Sequence, residues 1–456
     1  MKRALATLVA FLLAATLLPM TASPASAARP ESGASFNVPP KWGGAKANFN
    51  VIRKIESAIN STRPTKSDPK PAIWITTYFL DRASSTDALI RACKRGVSVR
   101  VIIDSGIQDK PAKKLIAALN SDNVRDRNND GKPDRPARSG PCNRKMVFVT
   151  ESGQRVVQRP VDPNKMTRRE VERSVAAPNN AAVTWGKDGS YVKRCKGSCR
   201  GGGGAMHSKF FVFTSTGGVK DVVMVSSGNL NLGAAVRGWN DMITFTKRNY
   251  LRRAFARIHR QMTEDRPASR QVTRFVDGGV TARFFPLRKG SAANDPTLAD
   301  LNRIKCKSAL GPTQIRISMF YWAHARGKYL ARKVINLAKA GCRVSVIYGA
   351  PGDAVRRMLN DAANKGLLSL YDSRVDLLTS GDGAGDYRVR THGKFMLVQG
   401  TYGNNRKAFL TTTGSQNWAQ SSLSGGDEVT VNVMSRSVYK QYRAHYDRIR
   451  SHSQRR

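Results

Sequence analysis

The octapeptides Met206-His207-Ser208-Lys209-Phe210-Phe211-Val212-Phe213 and Thr391-His392-Gly393-Lys394-Phe395-Met396-Leu397-Val398 each place a His-x-Lys pair at the head of an apolar run. Only six histidines occur in the chain, and two are used in this one pattern. Unbroken Phe, Val, Leu and Met residues predict a buried strand. Residues i and i+2 of a strand point to the same side, so each His leaves the sheet edge together with its Lys. That sets a nucleophile or proton donor beside a fixed cation, and a fold for this chain must build the edge twice.

The duplication extends upstream. Ile73-Trp74-Ile75-Thr76-Thr77-Tyr78-Phe79-Leu80 parallels Ile315-Arg316-Ile317-Ser318-Met319-Phe320-Tyr321-Trp322. Amphipathic segments follow (Ala88 to Lys94; Leu330 to Lys339), then second strands, Gly96 to Ile103 and Gly341 to Tyr348. Even the entries match, with Phe36-Asn37-Val38-Pro39 before a helical pattern from Asn50 to Asn60, and Phe284-Phe285-Pro286 before one from Thr297 to Lys307. An internal repeat of strand, helix and strand predicts two similar α/β halves, each a mainly parallel or mixed sheet flanked by helices. Their His-x-Lys edges should face each other across the site.

Downstream, Ser227-Gly228-Asn229 follows the first pair and Ser415-Gln416-Asn417 the second. Each half then supplies a carboxylate at nearly the same interval, Asp241 and Glu428. With these residues the chain resembles the phospholipase D superfamily, whose signature is H-x-K-x-x-x-x-D twice, each copy followed by a Gly/Ser-Asn motif. The resemblance spans most of the chain. It departs at one position per copy, where the superfamily's supporting Asp is Thr214 in the first half and Gln399 in the second.

The first 27 residues carry Lys2-Arg3, an apolar stretch from Ala4 to Leu18, and Ala25-Ser26-Ala27, the pattern of a secretory signal cut before Ala28. The expected organisation is therefore a leader (1–27), an N-terminal half (28–265) and a C-terminal half (266–456). A polar, basic insertion occupies about 122–204 of the first half, ending in Gly201-Gly202-Gly203-Gly204. Four glycines suit a close approach to a bound phosphate, a mobile lip over the site, or simply a flexible loop. Six cysteines in an exported chain allow up to three disulfides, with Cys195 placed to meet Cys199 and Cys306 to meet Cys342. Zinc on Cys-x3-Cys is the competing reading, disfavoured by Lys193, Arg194, Lys196 and Arg200 around it. The Asp126 to Asp134 segment has oxygen ligands at alternate positions but lacks the closing Glu of a calcium loop, which favours an Asx-rich turn.

A phosphodiester repels nucleophiles through its own charge, which a protein must offset while presenting an attacking atom. Lys209 and Lys394, with Ser227, Asn229, Ser415 and Asn417, would surround the phosphate oxygens. One histidine would attack phosphorus and the other protonate the leaving alcohol; the resemblance assigns His207 as nucleophile and His392 as acid and base. Asp241 and Glu428 would each hold the far nitrogen of a histidine. No metal or cofactor is expected.

The formal net charge of +45 points to a polyanionic partner. Phospholipid is the favoured substrate, so the chain is expected to be a secreted phospholipase D-type phosphodiesterase, hydrolysing or transferring head groups. It should act as a monomer with peripheral membrane contact and nonspecific nucleic-acid binding through its basic surface. A secreted metal-independent nuclease of the same fold is the first alternative, and a catalytically weakened polyanion-binding protein the second.

Overall fold

The computed structural model describes residues 29–104, 106, 109–123, 146–149, 155–158, 190–195, 197–201, 203–263, 267–269, 271–377 and 387–456. The leader, Cys142, the 126–134 segment and most of the insertion lie outside the described residues.

Two sheets repeat one strand order. The first runs Gly33–Phe36, Asp241–Phe245, Val219–Ser226, Phe210–Thr216, Ala72–Thr77, Ser98–Asp104, Tyr191–Cys195. The second repeats it as Val280–Phe285, Glu428–Met434, Asn405–Gly414, Lys394–Tyr402, Gln314–Trp322, Arg343–Pro351, Ser369–Asp372, with Thr273–Asp277 added at one edge. Both are mixed. Parallel pairing is confined to the last three strands of each order, where helices make the crossover, as between Ala72–Thr77 and Ser98–Asp104. The strand carrying His-x-Lys instead turns straight into its neighbour through Gly217-Gly218 or Gly403-Asn404, and so short a link permits only antiparallel pairing. The sheets are therefore not mainly parallel, because a hairpin stands where a crossover would be needed.

The crossover helices, Ala83–Lys94 and His324–Lys339, begin earlier than the amphipathic stretches marked in the sequence. In the second, Leu330, Ala331, Val334, Leu337 and Ala338 form one buried face at helical spacing. Gly96 and Gly341, at φ 94° and 90°, end the two helices in the left-handed conformation that glycine adopts without strain. The pattern from Thr297 to Lys307 gives only a short helix, Pro296–Asn302; Ile304–Lys305 leaves it to pair with Thr401 and Tyr402.

Helix Asn249–Thr263 inserts Leu251, Phe255, Ile258 and Met262 into a core shared by Phe210 and Ile243 of the first sheet and Phe284, Val429 and Val431 of the second. Helix Arg436–Ser451 does the converse, packing Tyr442 and Tyr446 with Val38, Trp239 and Phe395. Each completely buried Leu, Ile or Phe contributes about 1.5–3 kcal/mol. These two mixed cores lock the sheets face to face with the His-x-Lys edges together.

Candidate active site

Each motif strand emerges beside the other half. The His207 amide donates to the Asp427 carbonyl (3.0 Å), and the His392 amide donates to that of Trp239 (3.0 Å). The rings follow the same crossed logic. His207 Nδ1 lies 2.9 Å from Glu428 Oε1, and His392 Nδ1 lies 2.7 Å from Asn240 Oδ1. The partner of His392 is thus Asn240 and not the expected Asp241.

Spacing explains the substitution. Asn240 stands the same number of residues beyond Ser227 and Asn229 as Glu428 stands beyond Ser415 and Asn417. Strand alternation then turns Asp241 away from the histidine. Its Oδ2 accepts from Tyr442 (2.8 Å) and from the Thr413 hydroxyl, while Oδ1 is buried without a hydrogen-bond partner among the described residues. Burial pushes the Asp241 carboxyl up, an effect only partly offset by those hydroxyls and the charge of Lys394.

The serines also differ from expectation. Ser227 Oγ donates to Asn240 Oδ1 (3.0 Å) and Ser415 Oγ donates to Glu428 Oε2, so both hydroxyls orient the histidine partners instead of facing phosphate. Asn240 Nδ2 is occupied by the carbonyls of Ala234 (2.7 Å) and Gly238 (3.3 Å). Its oxygen must therefore accept from His392, which fixes the proton on Nδ1 and frees the Nε2 lone pair. Asn229 Oδ1 accepts from the Tyr78 and Phe79 amides (3.1 and 3.4 Å), and Asn417 Oδ1 from Tyr321 (3.2 Å). With the oxygens committed, the amide NH2 groups are the donors suited to an anion.

Lys209 Nζ donates to the His207 carbonyl; Lys394 Nζ donates to that of His392 (2.7 Å) and lies 3.2 Å from His392 Nε2. Burial pulls Lys209 down to about 7. Burial and the Lys209 charge hold Lys394 well below the usual ammonium range. Both histidines are lowered by burial, His392 further by Lys394 and Lys209, whereas Glu428 opposes the fall for His207. Glu428 itself, pushed up by burial, is drawn below its ordinary value by His207 and Lys209.

Two aromatic rings complete the walls. Tyr78 meets His207 edge-on at 5.6 Å, and Phe320 lies 4.7 Å from His392, with Lys394 5.1 Å over its face. Sequence reasoning missed them, although they stand at equivalent positions of the repeated segments Ile73–Leu80 and Ile315–Trp322.

Two of the glycines before the first motif, Gly201 and Gly204, pack against backbone. A Cβ on Gly201 would lie 2.5 Å from the Gly425 carbonyl oxygen, and one on Gly204, at φ 78°, 2.6 Å from the Gly425 carbonyl carbon. The Cys195–Cys199 disulfide closes this strap, so those thiols are not zinc ligands; Cys306–Cys342 is likewise bonded. Asp427 pins the strap through Ser198 Oγ (2.9 Å), the Cys199 amide and the buried Arg200 (3.4 Å). Thr214 lies at the far end of its strand, donating to Asp68 (2.6 Å) and accepting from the Ala72 amide (3.0 Å), a supporting place remote from the histidine.

Residues 67–265 and 305–450 match the family described as "Cardiolipin synthase, PLD-like domain". The chain belongs to this phospholipase D-like family. No curated protein matches the phospholipase D-like chain. Solved structures resembling it include a phosphatidylserine synthase from Haemophilus influenzae (13% identity, 93% of this chain and 87% of that one, TM-score 0.47). Another is a polyphosphate kinase from Porphyromonas gingivalis (12% identity, 88% of this chain, TM-score 0.46), of whose length the match spans 45%. A third is Nuc, a phospholipase D family member from Salmonella typhimurium (18% identity, 39% of this chain and 97% of that one, TM-score 0.27).

The lysine electrostatics of the phospholipase D-like site predict a pH dependence. An anion is held by the ammonium form, so affinity for a phosphodiester of constant charge should fall as pH rises through about 7, where Lys209 loses its proton. The limiting slope is about tenfold per pH unit. Competitive inhibition by dimethyl phosphate, followed from pH 6 to 9, measures it; a flat profile would show that Lys209 keeps its charge.

Proposed function

We propose that the protein is an exported phosphodiesterase that hydrolyses or transfers phospholipid head groups through a phosphohistidine. The observation that carries this reading is the unequal pair of histidines between two buried lysines: His207 backed by a carboxylate, His392 by an amide. A phosphorylated imidazole keeps a positive ring, which Glu428 stabilises, so His207 suits the nucleophile. An amide lends no charge to His392, so its imidazolium remains a strong acid.

His392 Nε2 first takes up a proton as the anionic diester binds. His207 Nε2 then attacks phosphorus as the bond to the leaving oxygen breaks, and that proton passes from His392 Nε2 to the leaving oxygen. His392 then takes a proton from water or a second alcohol, whose oxygen attacks phosphorus; the P–N bond breaks and His207 is restored. Lys209, Lys394 and the amides of Asn229 and Asn417 hold the phosphate oxygens throughout.

The family description supports a phospholipid substrate, and two disulfides suit an oxidising compartment outside the cell. No helix among the described residues is long and apolar enough to cross a membrane. The +45 charge favours a second reading, a nuclease. Phosphatidylcholine vesicles and plasmid DNA assayed side by side over roughly 50–200 mM salt separate the two, because binding several nucleic-acid phosphates loses decades of affinity over that range. Head-group release with only mild salt dependence is expected; histidine-dependent DNA cleavage without it would establish the nuclease.

A further inference from the structure

The mouth of the site carries two exposed apolar side chains on its N-terminal side. Phe79, 36% exposed, follows Tyr78, and Leu232, 53% exposed, begins the short helix Leu232–Val236. The two segments are stitched together. Leu80 and Leu230 form a parallel bridge, the Phe79 amide donates to Asn229 Oδ1 (3.4 Å), and the Leu232 amide donates to Asp81 Oδ1 (2.9 Å). Tyr78 meets Phe79 edge-on at 4.4 Å and His207 at 5.6 Å, so apolar surface runs from the reacting centre outward to solvent.

The C-terminal side of the mouth is polar at the equivalent places. Tyr321 stands where Phe79 does, its hydroxyl 2.9 Å from His324 Nε2. Gln420 stands where Leu232 does, its amide donating to the Gly290 carbonyl (2.9 Å) and Ser424 Oγ (3.0 Å). Chemistry gives the same polarity to the substrate. In-line displacement sets the leaving oxygen opposite His207, toward His392 and the polar side, while the retained phosphatidyl group stays with His207 on the apolar side.

We propose that Phe79 and Leu232 dock the mouth onto a phospholipid bilayer containing anionic lipid, with the diacylglycerol toward the N-terminal half and the head group toward the C-terminal half. The inference rests on the phospholipid reading of the site. Charge complementarity selects the partner: the strongly basic chain, +45 with its leader and two charges fewer without Lys2 and Arg3, is drawn to an anionic leaflet, and the apolar pair supplies the short-range anchor. Nucleic acid would answer the charge and could stack a base on Phe79, but it would leave aliphatic Leu232 without a partner.

The test uses the mature chain and Phe79→Ser/Leu232→Ser, assayed on vesicles of phosphatidylcholine with phosphatidylglycerol and on soluble bis(p-nitrophenyl) phosphate. The double variant should lose about tenfold or more of vesicle binding and head-group release, with soluble turnover unchanged. Phe79→Trp should show a blue-shifted emission on adding those vesicles, a gain of signal that does not depend on the double variant. Vesicle turnover equal to wild type, parallel loss on both substrates, or an unshifted tryptophan would each overturn the docking proposal. Wild type inert on every vesicle yet active on the soluble diester would instead remove the phospholipid reading beneath it.

Discussion

His207→Ala and His392→Ala should each lower turnover of a natural diester by about a thousandfold or more, and the double variant hardly further, because nucleophile and acid act as one unit. The two single variants should part on bis(p-nitrophenyl) phosphate. Nitrophenolate leaves without a proton, so His392→Ala should still release one equivalent and stall as the phosphohistidine, with no base to activate water. His207→Ala should give no burst. Rapid-mixing absorbance reads both outcomes; a burst from His207→Ala and none from His392→Ala would exchange the assigned roles, and EDTA-sensitive turnover by folded wild type would refute the metal-free scheme.

Asp427→Ala should cost about 3–5 kcal/mol of stability, since it leaves the guanidinium of Arg200 buried without its counter-charge. The loss should also reach the site. Asp427 holds the Cys195–Cys199 strap, its carbonyl accepts the His207 amide, and the next residue is Glu428. Removing both charges in Asp427→Ala/Arg200→Met should recover much of the stability, although Phe285 would lose its bond from Arg200 (2.7 Å). Denaturant unfolding measures both variants; an Asp427→Ala protein as stable as wild type would mean the ion pair contributes nothing.

The doubled His-x-Lys strands, the Asn positions, Glu428 and the two disulfides were legible in the sequence because each depends on a repeat or a short spacing. Asn240 was not. Choosing an acid by its chemistry selected Asp241, one residue off, whereas equal distance from the two Ser-x-Asn motifs selects Asn240; a single step along a strand exchanges one sheet face for the other. The crossing of each histidine to the opposite half was hidden for a different reason. It follows from how the sheets dock, through cores mixing Phe210 with Val431 and Trp239 with Phe395, and no local periodicity encodes that contact. The hairpins that make the sheets mixed could be read from Gly217-Gly218 and Gly403-Asn404, which leave no room for a helix.

Because each histidine borrows its partner from the opposite half, two identical subunits meeting in this way would be compelled to give both histidines the same partner. Covalent fusion lifts that constraint. With Glu428 on one side and Asn240 on the other, one mutation alters one role at a time, so the nucleophile and the acid can be tuned in opposite directions. Under the proposed roles, the linked chain gives a two-fold scaffold a direction of reaction, and the carboxylate-for-amide exchange is where the two halves of the site differ.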